Sequence, residues 1–266
     1  LPGVSPLVFS RFLLEYAAFL SLTDMNKDLP SYEEIPIALE MPENVRKAYE
    51  KAENILQKIL RSGTGIAQKI LSAYLNLLTV YPDQPYDQPE IVHPIDGLTL
   101  VEPENCGDFS TLLPKEEAIL DLVQQKVEDG ERVLIYTSWT RTDSQQKLLK
   151  LLRENGYRTE ILTKQIPTEK REEWVDKRVK SGLQVLITNP RCVETGLDLN
   201  AFTTIIYYSM GYNLFTLRQA SRRSWRINQK APAVKVYMLY YEDTMQQKCL
   251  KLMASKLAVA GLIEGN

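Results

Sequence analysis

The sequence predicts an α/β fold, a parallel sheet flanked by helices and preceded by a mainly helical segment. Three observations predict it. From Lys115 to the C-terminus, strand-like and helix-like stretches alternate. The strand-like stretches, among them Val133-Leu134-Ile135-Tyr136 and Val185-Leu186-Ile187, are unbroken apolar runs, as in strands covered on both faces. Ahead of Lys115 the periodicity is helical and then lapses into a proline-rich stretch.

In chain order, Phe9 to Leu22 is a strongly apolar helix candidate, ended by Asp28-Leu29-Pro30. Ile35 to Met41 is a short strand candidate with β-branched residues. Pro42 and Glu43 open an amphipathic helix to about Arg61, with Val45, Ala48, Ile55 and Ile59 at helical spacing. Ser62-Gly63-Thr64-Gly65 reads as a turn before a helix from Ile66 to Leu78. Between Pro82 and Pro114 lie six of the fourteen prolines, the mark of a linker or a surface-hugging loop. The alternating part then runs as helix 116–128, strand 132–136, helix 144–154, strand 158–162, helix 168–180, strand 184–188, strand 203–208, helix 214–225, strand 233–240 and helix 242–257. Glycines 130, 156 and 182 each follow one of these helices. The expected division is a mainly helical connector over 1–114 and an α/β lobe over 115–266.

Composition excludes several function classes. The 266 residues are 44% hydrophobic and 25% charged, ordinary globular values. With 32 basic and 34 acidic residues the net charge is −2, so any nucleic-acid contact must come from local basic patches. No apolar run reaches the roughly 18 residues of a membrane span. Cys106, Cys192 and Cys249 lie far apart with no C-x-x-C pair, which argues against a zinc site or a disulfide framework and for a reducing, intracellular home in cytoplasm or nucleoid. The single histidine, His93, leaves a His-based metal site or Ser-His triad almost nothing to work with. The Leu-Pro-Gly start reads as the edge of a longer chain.

The informative segment is Arg218 to Gln229. On a helix turning about 100° per residue, Gln219, Arg223 and Arg226 share one narrow face, opposite Leu214, Leu217, Ser224 and Trp225. Arg222, Arg223 and Arg226 repel one another unless an anion sits among them, and the guanidinium fork suits phosphate oxygens. From Leu199 to Tyr241 there are six basic residues and no acidic one, so this part is positive in a slightly acidic chain. A solvated basic helix face is the bland alternative.

Taken together, these stretches resemble the second RecA-like lobe of superfamily II helicases, and most closely the SWI/SNF-type ATP-driven DNA translocases. The family's last motif, Q-A-x-x-R-x-x-R-I-G-Q, is matched by Gln219-Ala220-Ser221-Arg222-Arg223-Ser224-Trp225-Arg226-Ile227-Asn228-Gln229, with Asn228 in place of Gly. Gly196-Leu197-Asp198-Leu199 resembles the motif before it, and Met210-Gly211-Tyr212-Asn213 the short aromatic-Asn segment between them. Val133 to Trp139 resembles the lobe's opening strand, and Arg171 the Arg that opens its second helix. Leu29-Pro30, a strand and Met41-Pro42-Glu43 resemble the connection out of a first lobe. The chain departs from the family at Asn189 to Glu194, which lack the usual glycine pair, and at Lys164, where a small residue is common.

The resemblance implies ATP in a cleft between two lobes, with Mg²⁺ and the phosphate loop supplied by the missing first lobe. It implies that Arg223 and Arg226 act as arginine fingers on the γ-phosphate, and that Gln219, Gly196 and Asp198 lie at the nucleotide. It implies sequence-independent contact with the backbone of duplex DNA by Thr137, Ser138, Trp139, Lys164, Thr188 and Asn189. No metal ligand is assigned. Gly63 to Ile70 mimics a phosphate loop, but Gln68 replaces the second Gly and Ile70 the Mg²⁺-binding hydroxyl. Two alternatives stand beside this reading: a non-catalytic RecA-like module that binds nucleic acid or protein, and, more weakly, a stand-alone doubly wound nucleotide-binding domain.

Overall fold

The computed structural model describes residues 30–61, 66–139, 142–193, 196–209, 211, 219–225, 229 and 231–264. The helix expected over Phe9 to Leu22, and Arg226 of the arginine motif, lie outside the described residues. The described elements are β1 (Ser31–Leu39), α1 (Glu43–Arg61), α2 (Ile66–Val80), β2 (Ile91–Val92), β3 (Thr99–Val101), α3 (Pro114–Glu128), β4 (Val133–Tyr136), α4 (Ser144–Glu154), β5 (Thr159–Leu162), α5 (Arg171–Lys180), β6 (Val185–Thr188), β7 (Thr204–Tyr207), β8 (Ala233–Tyr241) and α6 (Met245–Glu264).

Six strands form one parallel sheet in the order β1-β8-β7-β4-β6-β5. Every residue of β4, β6 and β7 is buried, because helices cover both faces. Side-chain alternation divides two cores. Leu134, Tyr136, Leu186, Ile205 and Tyr207 face one way, with Val175 of α5 and Met253 of α6. Val133, Ile135, Val185, Ile187 and Ile206 face the other, with Ile119 and Val123 of α3 and Leu148 and Leu152 of α4. Among the described residues no helix is long and apolar enough to cross a membrane.

Three features differ from the sequence expectation. The strand expected at Ile35 to Met41 runs from Ser31 to Leu39, and it is an edge strand of this sheet, paired with β8 from Ser31↔Ala233 to Leu39↔Tyr241. Pro36 fits there because an edge strand tolerates a missing N–H. The leading segment thus contributes a strand to the lobe as well as helices. The proline-rich stretch holds a small hairpin, β2 with β3, and its first five residues, Pro82 to Tyr86, are all buried rather than on the surface, as is Tyr81 before them. Finally, the helix carrying the arginine motif ends at Ser221.

α1 lays Val45, Ala48, Tyr49, Ala52 and Leu56 against Ile70, Tyr74, Leu77 and Leu78 of α2, in a third core that reaches the sheet through Tyr241. The hydroxyl of Tyr49 accepts the N–H of Met245 at 2.8 Å, fastening α1 to the start of α6.

Candidate functional site

The arginine motif is built on two tyrosines. Tyr136 ends β4 and Tyr207 ends β7, and their rings stack 5.0 Å apart. The Tyr136 hydroxyl donates to the Ala220 carbonyl at 3.1 Å, and the Tyr207 hydroxyl meets the Ser221 hydroxyl at 2.9 Å. The last helical residues are thereby held over the sheet. Beyond Ser221 the hydrogen bonds span three residues, Arg223 N–H to Ala220 O at 3.2 Å and Ser224 N–H to Ser221 O at 3.3 Å. Such tightening replaces the helical turn. Gln219 and Arg223 therefore do not share a continuous helix face as the sequence expectation had it: Gln219 is helical, and Arg223 sits in the turn.

This turn is tied to the second motif by main chain, since the N–H of Leu199 donates to the carbonyl of Arg223 at 3.2 Å. Gly196, Asp198 and the arginine turn thus lie in adjoining segments, and Gln229 continues the contact by donating to the Asn200 carbonyl at 2.9 Å. Gly196 has φ +79°, and an added Cβ there meets nothing within 4 Å. Within the protein the glycine is needed for its backbone conformation. Gln219, Asp198 and Arg223 are each partly exposed, and Arg222 is exposed. Burial pushes the Tyr136 hydroxyl well above its ordinary range, and the nearby Arg223 charge opposes that shift. Trp225 forms the packed side of the turn: its indole N–H donates to Pro30 O at 2.8 Å and its ring lies 5.3 Å from that of Tyr32. Because Pro30 precedes β1, Trp225 packs beside the start of that strand.

The rim where the strands finish carries the other predicted residues. Thr137 and Thr188 are fully buried. The Thr137 hydroxyl accepts from Gln145 Nε2 at 2.8 Å, and the Thr188 hydroxyl donates to Leu162 O at 2.8 Å. Asn189 is also buried, with its amide donating to the carbonyls of Thr137 and Ser138 at 3.0 Å each. These three face inward and hold loops; as direct phosphate partners they are the wrong way round. Ser138 is half-buried, its N–H donating to Ser209 Oγ at 2.8 Å and its hydroxyl to Ser209 O at 2.9 Å. Trp139 is half-buried with its indole nitrogen inside and no hydrogen-bond partner among the described residues. Lys164 is exposed in the turn after β5.

Sequence reasoning missed Arg191, exposed in a short turn after β6 whose start is capped by the Asn189 side chain accepting the Arg191 N–H at 3.0 Å. The signal was there, since a basic residue follows a strand end. Arg171 is buried and donates to Ile166 O at 3.0 Å and Cys192 O at 2.8 Å, bracing the loops after β5 and β6.

Residues 114–228 match the family described as helicase conserved C-terminal domain. The chain is 28% identical over 251 residues to the mouse "SWI/SNF-related matrix-associated actin-dependent regulator of chromatin subfamily A member 1", covering 91% of this chain and 22% of that protein. Residues 114–228 are thus similar to a helicase C-terminal domain, and the relatives they match are of the SWI/SNF type. The mouse chromatin-remodeling ATPase INO80 is 26% identical over 179 residues, 64% of this chain and 11% of its own. The fold of this lobe is that of the C-terminal part of the Fun30 ATPase domain, with TM-score 0.64, 17% identity and coverage of 85% and 90%. It is likewise that of the Sulfolobus solfataricus SWI2/SNF2 ATPase core solved with dsDNA, with TM-score 0.61, 20% identity and coverage of 86% and 45%. The sheet is thus RecA-like in fold, and the chain spans only about a fifth of the length of the first of these relatives.

Proposed function

We propose that this chain is the C-terminal half of an ATP-dependent translocase of duplex DNA, with 1–114 a connector out of a first lobe and 115–266 the second lobe. The observation that carries the proposal is the main-chain tie from Leu199 to Arg223, which fixes the Gly196-to-Leu199 segment and the arginine turn side by side. The residues suit a polyphosphate: Arg223 and Gln219 are partly exposed, and the space above Gly196 is open. ATP in the cleft supplies the phosphoanhydride to be broken. Arg223 and Arg226 stabilise the charge that spreads over the γ-phosphate oxygens, Gln219 helps to position the turn from the end of the helix, and Asp198 and Gly196 approach the nucleotide. Mg²⁺ and the phosphate loop belong to the first lobe.

DNA meets the rim where the strands finish. Ser138, Trp139, Lys164 and Arg191 lie there, with Thr137, Thr188 and Asn189 holding the loops beneath. The relative solved with dsDNA supports this partner. Backbone contact of this kind is salt-sensitive and indifferent to sequence. Lys164→Ala and Arg191→Ala are each expected to weaken duplex binding equally for unrelated sequences and to reduce the salt slope by about one counterion. Fluorescence anisotropy across a salt series checks it; a sequence-dependent loss contradicts it. An intracellular setting goes with this reading.

The 266-residue chain alone is expected to hydrolyse ATP negligibly, because it carries no G-x-x-x-x-G-K-[ST]. The deciding experiment is an ATPase assay of the intact two-lobed protein with and without duplex DNA. DNA-stimulated turnover supports the translocase. Duplex binding without turnover leaves the non-catalytic interaction module, and Mg²⁺-dependent turnover by the 266-residue chain overturns the division of labour.

A further inference from the structure

The buried turn after α2 reaches the loop that follows β4 from both ends. Gln84 Oε1 accepts the N–H of Asp143 at 3.0 Å, at the start of α4. The neighbouring Thr142 hydroxyl donates to the Trp139 carbonyl at 3.1 Å, so the far end of the loop is fastened to its near part. Asp83 works on the other end. Its carboxylate lies 2.7 Å from Lys115 Nζ, and that ammonium donates to the Tyr208 carbonyl at 2.8 Å. The Tyr208 hydroxyl donates back to the Asp83 carbonyl at 3.2 Å. The next residue, Ser209, takes both polar groups of Ser138, its N–H and its hydroxyl.

Gln84 thus touches one end of a loop more than fifty residues away in the chain, and Asp83 reaches the other end through Lys115, Tyr208 and Ser209. Asp83 and Gln84 are buried, and neither touches the arginine turn through a hydrogen bond given above. A turn whose sole task was to pass the chain along would not need a carboxylate and an amide in the interior, where each costs desolvation unless paired.

We propose that Gln84 and Asp83 are positioning residues, which hold the loop carrying Ser138 and Trp139 in the shape that receives a phosphodiester backbone. The proposal rests on the DNA-binding reading above. The connector is then part of the nucleic-acid site although it never touches the ligand. Displacement of the connector alters DNA affinity through Asp143 and Tyr208.

The test uses the intact two-lobed protein and DNA-stimulated ATP hydrolysis, titrated with a duplex of mixed sequence. Gln84→Met removes the acceptor at similar volume, and Thr142→Val removes the second link in the same path. Each is expected to raise the duplex concentration for half-maximal stimulation about five- to tenfold, the size of one lost hydrogen bond, with turnover at saturating DNA within about twofold of the parent. A merely structural defect lowers saturating turnover by reducing the folded fraction and leaves the half-maximal concentration alone. An unchanged half-maximal concentration in a folded Gln84→Met or in Thr142→Val, or a fall in saturating turnover alone, overturns the proposal; Thr142→Val decides it should Gln84→Met fail to fold. If the parent protein itself shows no stimulation by DNA, the translocase reading fails and takes this one with it.

Discussion

In the intact two-lobed protein, Arg223→Ala and Arg226→Ala each lower ATP turnover by about 10³-fold or more while nucleotide binding survives, the range in which arginine fingers act. The reasoning is differential. A guanidinium that meets the γ-phosphate only as charge spreads over its oxygens contributes to the transition state and little to the ground state, so turnover falls and affinity does not. The turn around Arg223 is held from three sides, by Tyr136 on Ala220, by Leu199 on its own carbonyl and by Trp225 on Pro30. Truncating its side chain leaves those main-chain and neighbouring contacts in place. Arg223→Lys is expected to rescue poorly, because an ammonium lacks the planar fork. Single-turnover hydrolysis with a parallel binding assay using a fluorescent ATP analogue separates the two quantities. Turnover equal to the parent in both alanine variants removes the fingers from the account.

The second large effect is on stability. Lys115 is 1% exposed and Glu116 0% exposed, side by side at the start of α3. Lys115 pairs with Asp83 at 2.7 Å, and Glu116 with Lys147 at 3.0 Å. The rings of Tyr208 and Tyr241 flank Lys115 at 5.4 and 5.2 Å. Burial drives the Asp83 carboxyl up and the Lys115 ammonium down, and the attraction between them offsets both shifts. Lys115→Met strands the Asp83 charge and is expected to cost about 3–5 kcal/mol, a large share of the roughly 5–15 kcal/mol that holds a domain folded. Adding Asp83→Leu removes the stranded charge, so the double variant recovers most of that loss. Urea unfolding of the parent, the single and the double variant is the measurement. A single variant as stable as the parent shows that the pair carries no weight.

The strands β4, β6 and β7 were legible because a parallel sheet leaves nearly unbroken apolar runs, such as Val133 to Tyr136, that need no tertiary knowledge to see. β1 was half-legible. Ile35 and Ile37 gave it away, but Ser31 to Glu34 look like loop because one face of an edge strand is exposed. The burial of Tyr81 to Tyr86 was invisible: Pro, Asp and Gln read as surface, and the groups that take them in, Lys115, Asp143 and Tyr208, are far away in sequence. The end of the motif helix at Ser221 was equally hidden, since no glycine or proline marks it and the turn is held by Leu199 from another segment. The inward hydroxyls of Thr137 and Thr188 follow the same rule. A motif names the residue types at a strand end, and packing decides which of them point out.

The position of the two guanidiniums is met directly by the structure of the intact two-lobed protein on duplex DNA with ADP and a trigonal γ-phosphate mimic. The guanidinium nitrogens of Arg223 and Arg226 are expected within hydrogen-bonding reach, about 3 Å, of the mimic's oxygens. Both side chains engaged by carboxylates of their own lobe, with the mimic met by other groups, would contradict it.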